Sequence, residues 1–174
     1  MIHVDRQFRK QVVDSAEQFK AAPFAKVPEK YKNNPRMFEL GTTTEPGFNC
    51  SGFVIASICR AIGASPLDIW LPKYRTSESI GDGICGKSKP KRLEHAEVEP
   101  GDAIVWIEED DEFGHMALAT DTQSDGEIPY LHATYYDDPD GPGEVCADFL
   151  RQSRWYFPVH VPLQKLVNIA LKSK

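Results

Sequence analysis

Residues 48–63, FNCSGFVIASICRAIG, decide how this chain is read. Phe53, Val54, Ile55, Ala56, Ile58, Cys59, Ala61 and Ile62 are apolar and spread around the whole circumference of a helix, with only Arg60 charged. A helix that is apolar all round has no side to turn to water, so it is buried. The pattern predicts a helix over 50–63 running through the middle of the domain. Asn49 or Cys50 stands where the first unpaired N–H groups need a cap, and Gly63 where a helix commonly ends on glycine. Cys50 then lies in the first turn of a buried helix. The unpaired N–H groups and the dipole there favour an anion, which stabilises a thiolate. Ser51 and Gly52 keep the turn small enough for a carbonyl to approach, and the backbone N–H groups can hold an oxyanion. Taken alone, Cys50 is better explained as core, because cysteine is among the most buried residue types.

Working outward, residues 5–22 carry Phe8, Val12, Ala16 and Phe19 at helical spacing before Pro23, which predicts an amphipathic helix. Residues 23–47 hold four prolines and read as a long connection. Residues 64–101 look irregular. Pro100-Gly101-Asp102 leads into a strand over 103–107, followed by the acidic run Glu108–Glu112. Strand-like runs at 115–121 and 128–134 flank a turn at 123–126. After the turn-rich 137–143 comes a last strand, 155–161, which Pro158 marks as an edge, and a short helix over 163–172. Helices first and antiparallel strands after them give an α+β class. The 174 residues suffice for one domain spanning 1–174.

The formal net charge of −6 argues against a nucleic-acid partner. No window approaches the ~18 apolar residues of a membrane span. The start, MIHVDRQFRKQVVDS, has neither an apolar h-region nor a small-residue cleavage site, so the protein is expected in the cytoplasm at synthesis. Four cysteines are too few for a disulfide scaffold, and the absence of CxxC, HxxxH or HExxH spacing leaves no metal site to expect.

The histidines tip the balance at Cys50. His115 opens a strand whose same-face neighbours, Ala117 and Ala119, are small and leave room above the imidazole. If the hairpin is symmetric about Gln123–Ser124, His115 and His132 are directly opposed, with Cβ atoms about 4.5–5.5 Å apart. One ring can then orient the other. A cysteine on a helix N-terminus with a base held by a third polar group is the general form of an activated nucleophile. Cys59, two and a half turns beyond Cys50, points the opposite way and reads as core. Cys85 and Cys146 remain unassigned, His3 and His95 read as surface residues, and His160 has no evident partner. The acidic run precedes His115 and can present negative charge at a cleft mouth, although such runs are most often solvated loops.

FNCSGFV (48–54), PGDAIVW (100–106), FGHMALATD (113–121) and YLHAT (130–134), in this order, resemble the NlpC/P60 cysteine peptidases over about residues 38–135. The resemblance implies a papain-like fold in which the Cys50 helix packs on a central antiparallel sheet bearing both histidines. It implies Cys50 as nucleophile, His115 as base and His132 as third member. The implied chemistry is amide hydrolysis through a thioester acyl-enzyme, without metal or organic cofactor, usually on a peptidoglycan stem peptide cut between D-glutamate and a diamino acid. A thiol acyltransferase or lipid hydrolase on the same scaffold is the alternative. Asn49 stands where the family often has aspartate, and Phe38 where many members carry a tyrosine that lines the site. Phe38, Ser51 and Glu112 are the substrate-contact candidates. The expected partner is a peptide or peptidoglycan fragment, and the settings are wall-peptide turnover, phage work or signal-less export as an effector.

Overall fold

The computed structural model describes residues 2–24, 49–63, 91–93, 97–107, 113–122, 124–136, 143–151 and 158–171. Phe38, Glu112, Cys85, His95 and the acidic run 108–112 lie outside them.

Helix α1 (Arg6–Glu17) begins where the Asp5 carboxylate accepts from the Phe8 N–H at 2.8 Å. Phe8, Val12, Ser15 and Ala16 form its buried face. The helix stops short of the expected residue 22. Ala21 adopts a left-handed φ of 65°, and its N–H donates to the Val145 carbonyl at 2.8 Å. The Val145 N–H donates back to the Ala22 carbonyl, and the Phe24 N–H to that of Gly143, so the chain leaves the helix to dock on a strand.

Helix α2 (Cys50–Ala61) is capped by Asn49, whose side chain accepts from the Gly52 N–H at 2.7 Å. All nine residues from Ser51 to Cys59 are buried. Gly63 takes φ +65° just past its end, a conformation glycine adopts without a Cβ clash. The helix packs on α1 on one side and on two strands on the other, as a helix without a polar face must.

The strands are β1 (Lys91–Arg92), β2 (Ala103–Ile107), β3 (Phe113–Ala119), β4 (Glu127–Tyr135), β5 (Gly143–Arg151) and β6 (Val159–Val161), and helix α3 (Leu163–Leu171) follows. They form one sheet in the order β1-β6-β2-β3-β4-β5, with every pair antiparallel. The class is α+β. Strand β5, in a stretch read only as following a turn, pairs along β4 from Glu127↔Arg151 to Tyr135↔Gly143. Strand β6 is not an edge: it lies between β1 and β2, and Pro158, just ahead of it, leaves the ladder N–H groups intact. One sheet face, with Val105, Met116, Leu118, Leu131, Ala133 and Val145, meets the helices in the main core. The other carries Ile104, Ala117, Ala119, Ile128 and Tyr130, packed with Leu93 and Val98.

Asp102 ties these layers together. It is 1% exposed. Its Oδ1 accepts from Arg9 Nη1 of α1 at 2.7 Å and from the Leu163 N–H of α3 at 2.9 Å. Its Oδ2 bonds His160 Nε2 at 2.6 Å and accepts from the Glu99 N–H at 3.1 Å. His160 therefore has a partner, contrary to expectation, and it is one 58 residues away in the chain. Burial by itself would raise the Asp102 pKa, but the bonds from His160, Arg9 and the two backbone N–H groups hold it below the ordinary carboxylate value. Gly101 before it has φ +86°, and a Cβ there would stand 2.9 Å from Leu163 Cδ2.

Candidate active site

His115 stands near the start of β3, opposite Trp106 of β2. The next pair is Ile107↔Phe113, so Gly114 is an extra residue on the β3 side. Such a bulge bends the strand and re-aims the side chain beside it. His132 lies on β4, and its Nδ1 is 2.9 Å from His115 Nε2. The rings meet edge-on, with centroids 5.1 Å apart.

The two histidines meet by a different route from the directly opposed one expected. The turn is Asp125-Gly126, with φ values of 52° and 78°. This is the signature of a two-residue primed turn, closed by reciprocal Ser124 and Glu127 backbone bonds. The ladder beyond it pairs Leu118 with Leu131 and Ala119 with Tyr130. Between the turn and that ladder β3 has two more residues than β4, because Ala119 to Ser124 is five steps and Glu127 to Tyr130 is three. Continuing this register sets His132 across from Ala117, with His115 as its diagonal neighbour on the same face. Diagonal positions are about 7–8 Å apart, within reach of two imidazoles. A register change of two residues keeps every side chain on its face, so the pairing survives the wrong turn centre.

Aromatic rings enclose the pair. Trp106 lies 5.2 Å from the His115 ring and 5.5 Å from that of Tyr130, and Tyr130 meets His132 edge-on at 5.0 Å. Burial, reinforced by the neighbouring His132, pushes the His115 pKa down to about 4. Burial also lowers that of His132, with the Asp148 charge acting in the opposite direction. At neutral pH His115 is therefore unprotonated and able to accept a proton. Since its Nε2 faces His132, Nδ1 is the nitrogen left to take one.

Cys50 is half-buried at the first position of α2, the helix that packs on the Met116, Leu118, Leu131 and Ala133 face of β3 and β4, whereas His115 and His132 alternate onto the other face with Ala117 and Tyr130. Ser51 is buried, at 1% exposure, so it shapes the floor of the turn. The Gly52 N–H is taken by Asn49. Asparagine supplies the cap without the negative charge that aspartate would set beside a thiolate. Cys59 is fully buried, as expected, and burial pushes its thiol up to about 12. Cys146 is half-buried opposite His132 on β5, and burial first, then Glu144 and Asp148, raise its pKa as well. His3 is exposed. Trp106, Tyr130 and Asp148 were not singled out in the sequence. The available signal was alternation, since Tyr130 and His132 are two apart and so share a strand face. Among the described residues no group of three or more His, Cys, Asp or Glu is placed to hold a metal ion. No described helix is long and apolar enough to cross a membrane.

The arrangement of this sheet and its helices recurs in solved structures. The P60 domain of an antigen from M. avium subspecies paratuberculosis superposes with a TM-score of 0.56 at 16% identity, over 91% of this chain and 96% of that one. The chain has the fold of the NlpC/P60 domains. A protein similar to a lipoprotein, of the NLP/P60 family, from Staphylococcus aureus subsp. aureus Mu50 gives a TM-score of 0.51 at 16% identity. There the match covers 93% of this chain and 43% of the other, so the chain spans less than half of that protein. No family model matches the sequence, and no curated protein does. At this identity the likeness speaks for the NlpC/P60 fold, and chemistry has to be argued from the side chains.

Proposed function

We propose that this protein is a cysteine peptidase or amidase that hydrolyses amide bonds through a thioester on Cys50. The observation that carries the reading is the 2.9 Å His115–His132 bond, which holds one imidazole against the other, and the approach of Cys50 Sγ to His115 is part of what is proposed. His115 Nδ1 takes the thiol proton as Sγ attacks the carbonyl carbon. The resulting imidazolium donates from Nε2 to His132 Nδ1, which requires His132 to be the Nε2–H tautomer. The tetrahedral oxyanion is stabilised at the N-terminal turn of α2. On collapse the C–N bond breaks, His115 returns its proton to the leaving amine, and the acyl group stays on Sγ. Water, deprotonated by His115, then attacks the thioester, releasing the carboxylate and restoring the thiol.

The substrate class proposed is the peptidoglycan stem peptide, supported by the four sequence motifs and by the shared NlpC/P60 fold. Incubating the protein with purified sacculi and separating the released fragments tests it: new amino and carboxyl ends are expected for the wild type and none for Cys50→Ala. Fragments released equally by both proteins would exclude Cys50 chemistry. The nucleophile is tested apart from substrate by iodoacetamide labelling at pH 6–7 and mass spectrometry. Cys50 is expected to react ahead of Cys59, Cys85 and Cys146, and equal labelling of all four would count against the assignment.

A further inference from the structure

The polar surroundings of the histidine pair extend one strand beyond it. Tyr130 precedes His132 by two residues on β4 and meets it edge-on at 5.0 Å. Across the ladder, Tyr130 is opposite Asp148 and His132 opposite Cys146 of β5. The Tyr130 hydroxyl donates to Asp148 Oδ2 at 3.3 Å. Strand β2 brings the uncharged Trp106 to the pair. Helix α2, with Cys50, the buried Cys59 and Arg60, packs on the opposite face of the sheet, and Arg60 sits over the Phe19 ring. Strand β4 brings Tyr130, and β5 brings Cys146 and Asp148, with Glu144 further along. Burial, then Asp148, holds the Tyr130 hydroxyl protonated, so it remains a donor. Burial, then Glu144 and Asp148, holds Cys146 as a thiol. Asp148, diagonal to His132 across the β4–β5 ladder and on the same face, is the charged group among the described residues that acts on it.

We propose that Asp148, tethered by the Tyr130 hydroxyl, is a positioning residue that supplies the negative charge against which His115 and His132 share a proton. The inference rests on the reading of this pair as the base of a thiol hydrolase. When His115 takes a proton, a cation forms beside the Trp106 ring, and burial disfavours it. The bond to His132 spreads that charge toward β4, and a carboxylate on the next strand offsets part of the cost by Coulomb attraction. Asp148 is exposed, so water and salt screen the attraction, and the tether keeps the carboxylate on the side of the pair.

The test is an NMR titration of the histidines in the full chain for wild type, Asp148→Asn, Asp148→Glu, Tyr130→Phe and the Tyr130→Phe/Asp148→Asn pair. The midpoint of the His115–His132 pair is expected to fall by about half to one pH unit in Asp148→Asn. The fall should shrink in ~1 M salt, where the Debye length is about 3 Å. Asp148→Glu, which keeps the charge, should restore most of it. Tyr130→Phe should give a partial fall, and the double variant should fall no further than Asp148→Asn, because both act through one carboxylate. The circular dichroism spectrum should stay unchanged and so reports any general disturbance. An unchanged or raised midpoint in Asp148→Asn overturns the proposal, as does a fall that salt leaves intact or that comes with an altered circular dichroism spectrum. The titration needs no turnover. Failure of the hydrolase reading would show separately, as hydrolysis that survives Cys50→Ala.

Discussion

Keeping His115 unprotonated inside the fold makes the protein less stable in acid by an amount the site itself sets. Above pH 6.5 the histidine is neutral whether the chain is folded or not, and nothing is lost. As pH falls below 6.5 the unfolded chain takes up a proton that the folded protein refuses until about pH 4. The unfolded state then binds more protons, so unfolding free energy declines with falling pH. With midpoints of 6.5 and about 4, the loss at pH 5 relative to pH 8 is about 2 kcal/mol, rising toward a ceiling of roughly 3 kcal/mol below pH 4. The perturbation is His115→Gln, whose amide still donates toward His132 Nδ1 but does not titrate. Urea unfolding of both proteins, followed by circular dichroism at pH 8, 6.5 and 5, measures the difference. The wild type should lose about 2 kcal/mol more than His115→Gln between pH 8 and pH 5. His132, lowered in the same direction, remains in both and cancels to first order. Parallel pH dependence in the two proteins would refute the account of His115 as a base kept neutral by burial.

His132→Ala should reduce turnover far less than Cys50→Ala with an unchanged circular dichroism spectrum, because His132 orients and does not react; loss of folding would make it a structural residue. Asp102→Asn should lower stability by about 3–5 kcal/mol in denaturant unfolding at pH 7, since it strips the buried charge from Arg9 and His160. The pKa of Asp102 is depressed in the fold, so the wild-type advantage should persist above the ordinary carboxylate range near pH 4 and fade below it; an advantage that grows in acid would contradict this. Neutralising Glu108, Glu109, Asp110, Asp111 and Glu112 together should raise KM for an amine-bearing substrate and leave an uncharged analogue unaffected, whereas an equal response of both substrates would return the run to a solvated loop.

Local pattern carried much of this protein by itself. The apolar circumference of residues 53–62 required a buried helix, and Asn49 was available to cap it because its side chain needs only to reach an N–H three residues on. Alternation in 115–119 and 127–135 put His115 and His132 on one face because the expected and the observed registers differ by two residues, an even number. The order of motifs also pointed to the fold that the solved structures share. Tertiary structure alone decided what depends on residues far apart in the chain. The turn itself was legible in the Asp125-Gly126 dipeptide, but the surplus of β3 taken up before the ladder was not. Helix α1 ended early because β5 offered the Ala21 N–H a carbonyl, and β6 became an inner strand because β1 came to pair with it. His160 gained Asp102, and His132 gained the Tyr130–Asp148 pair, only when strands closed loops longer than any periodicity spans. Side-chain period is a property of neighbouring residues and is readable in a line of sequence. A buried hydrogen bond between distant strands is made only after the sheet has chosen its order, so its partners are visible only in three dimensions.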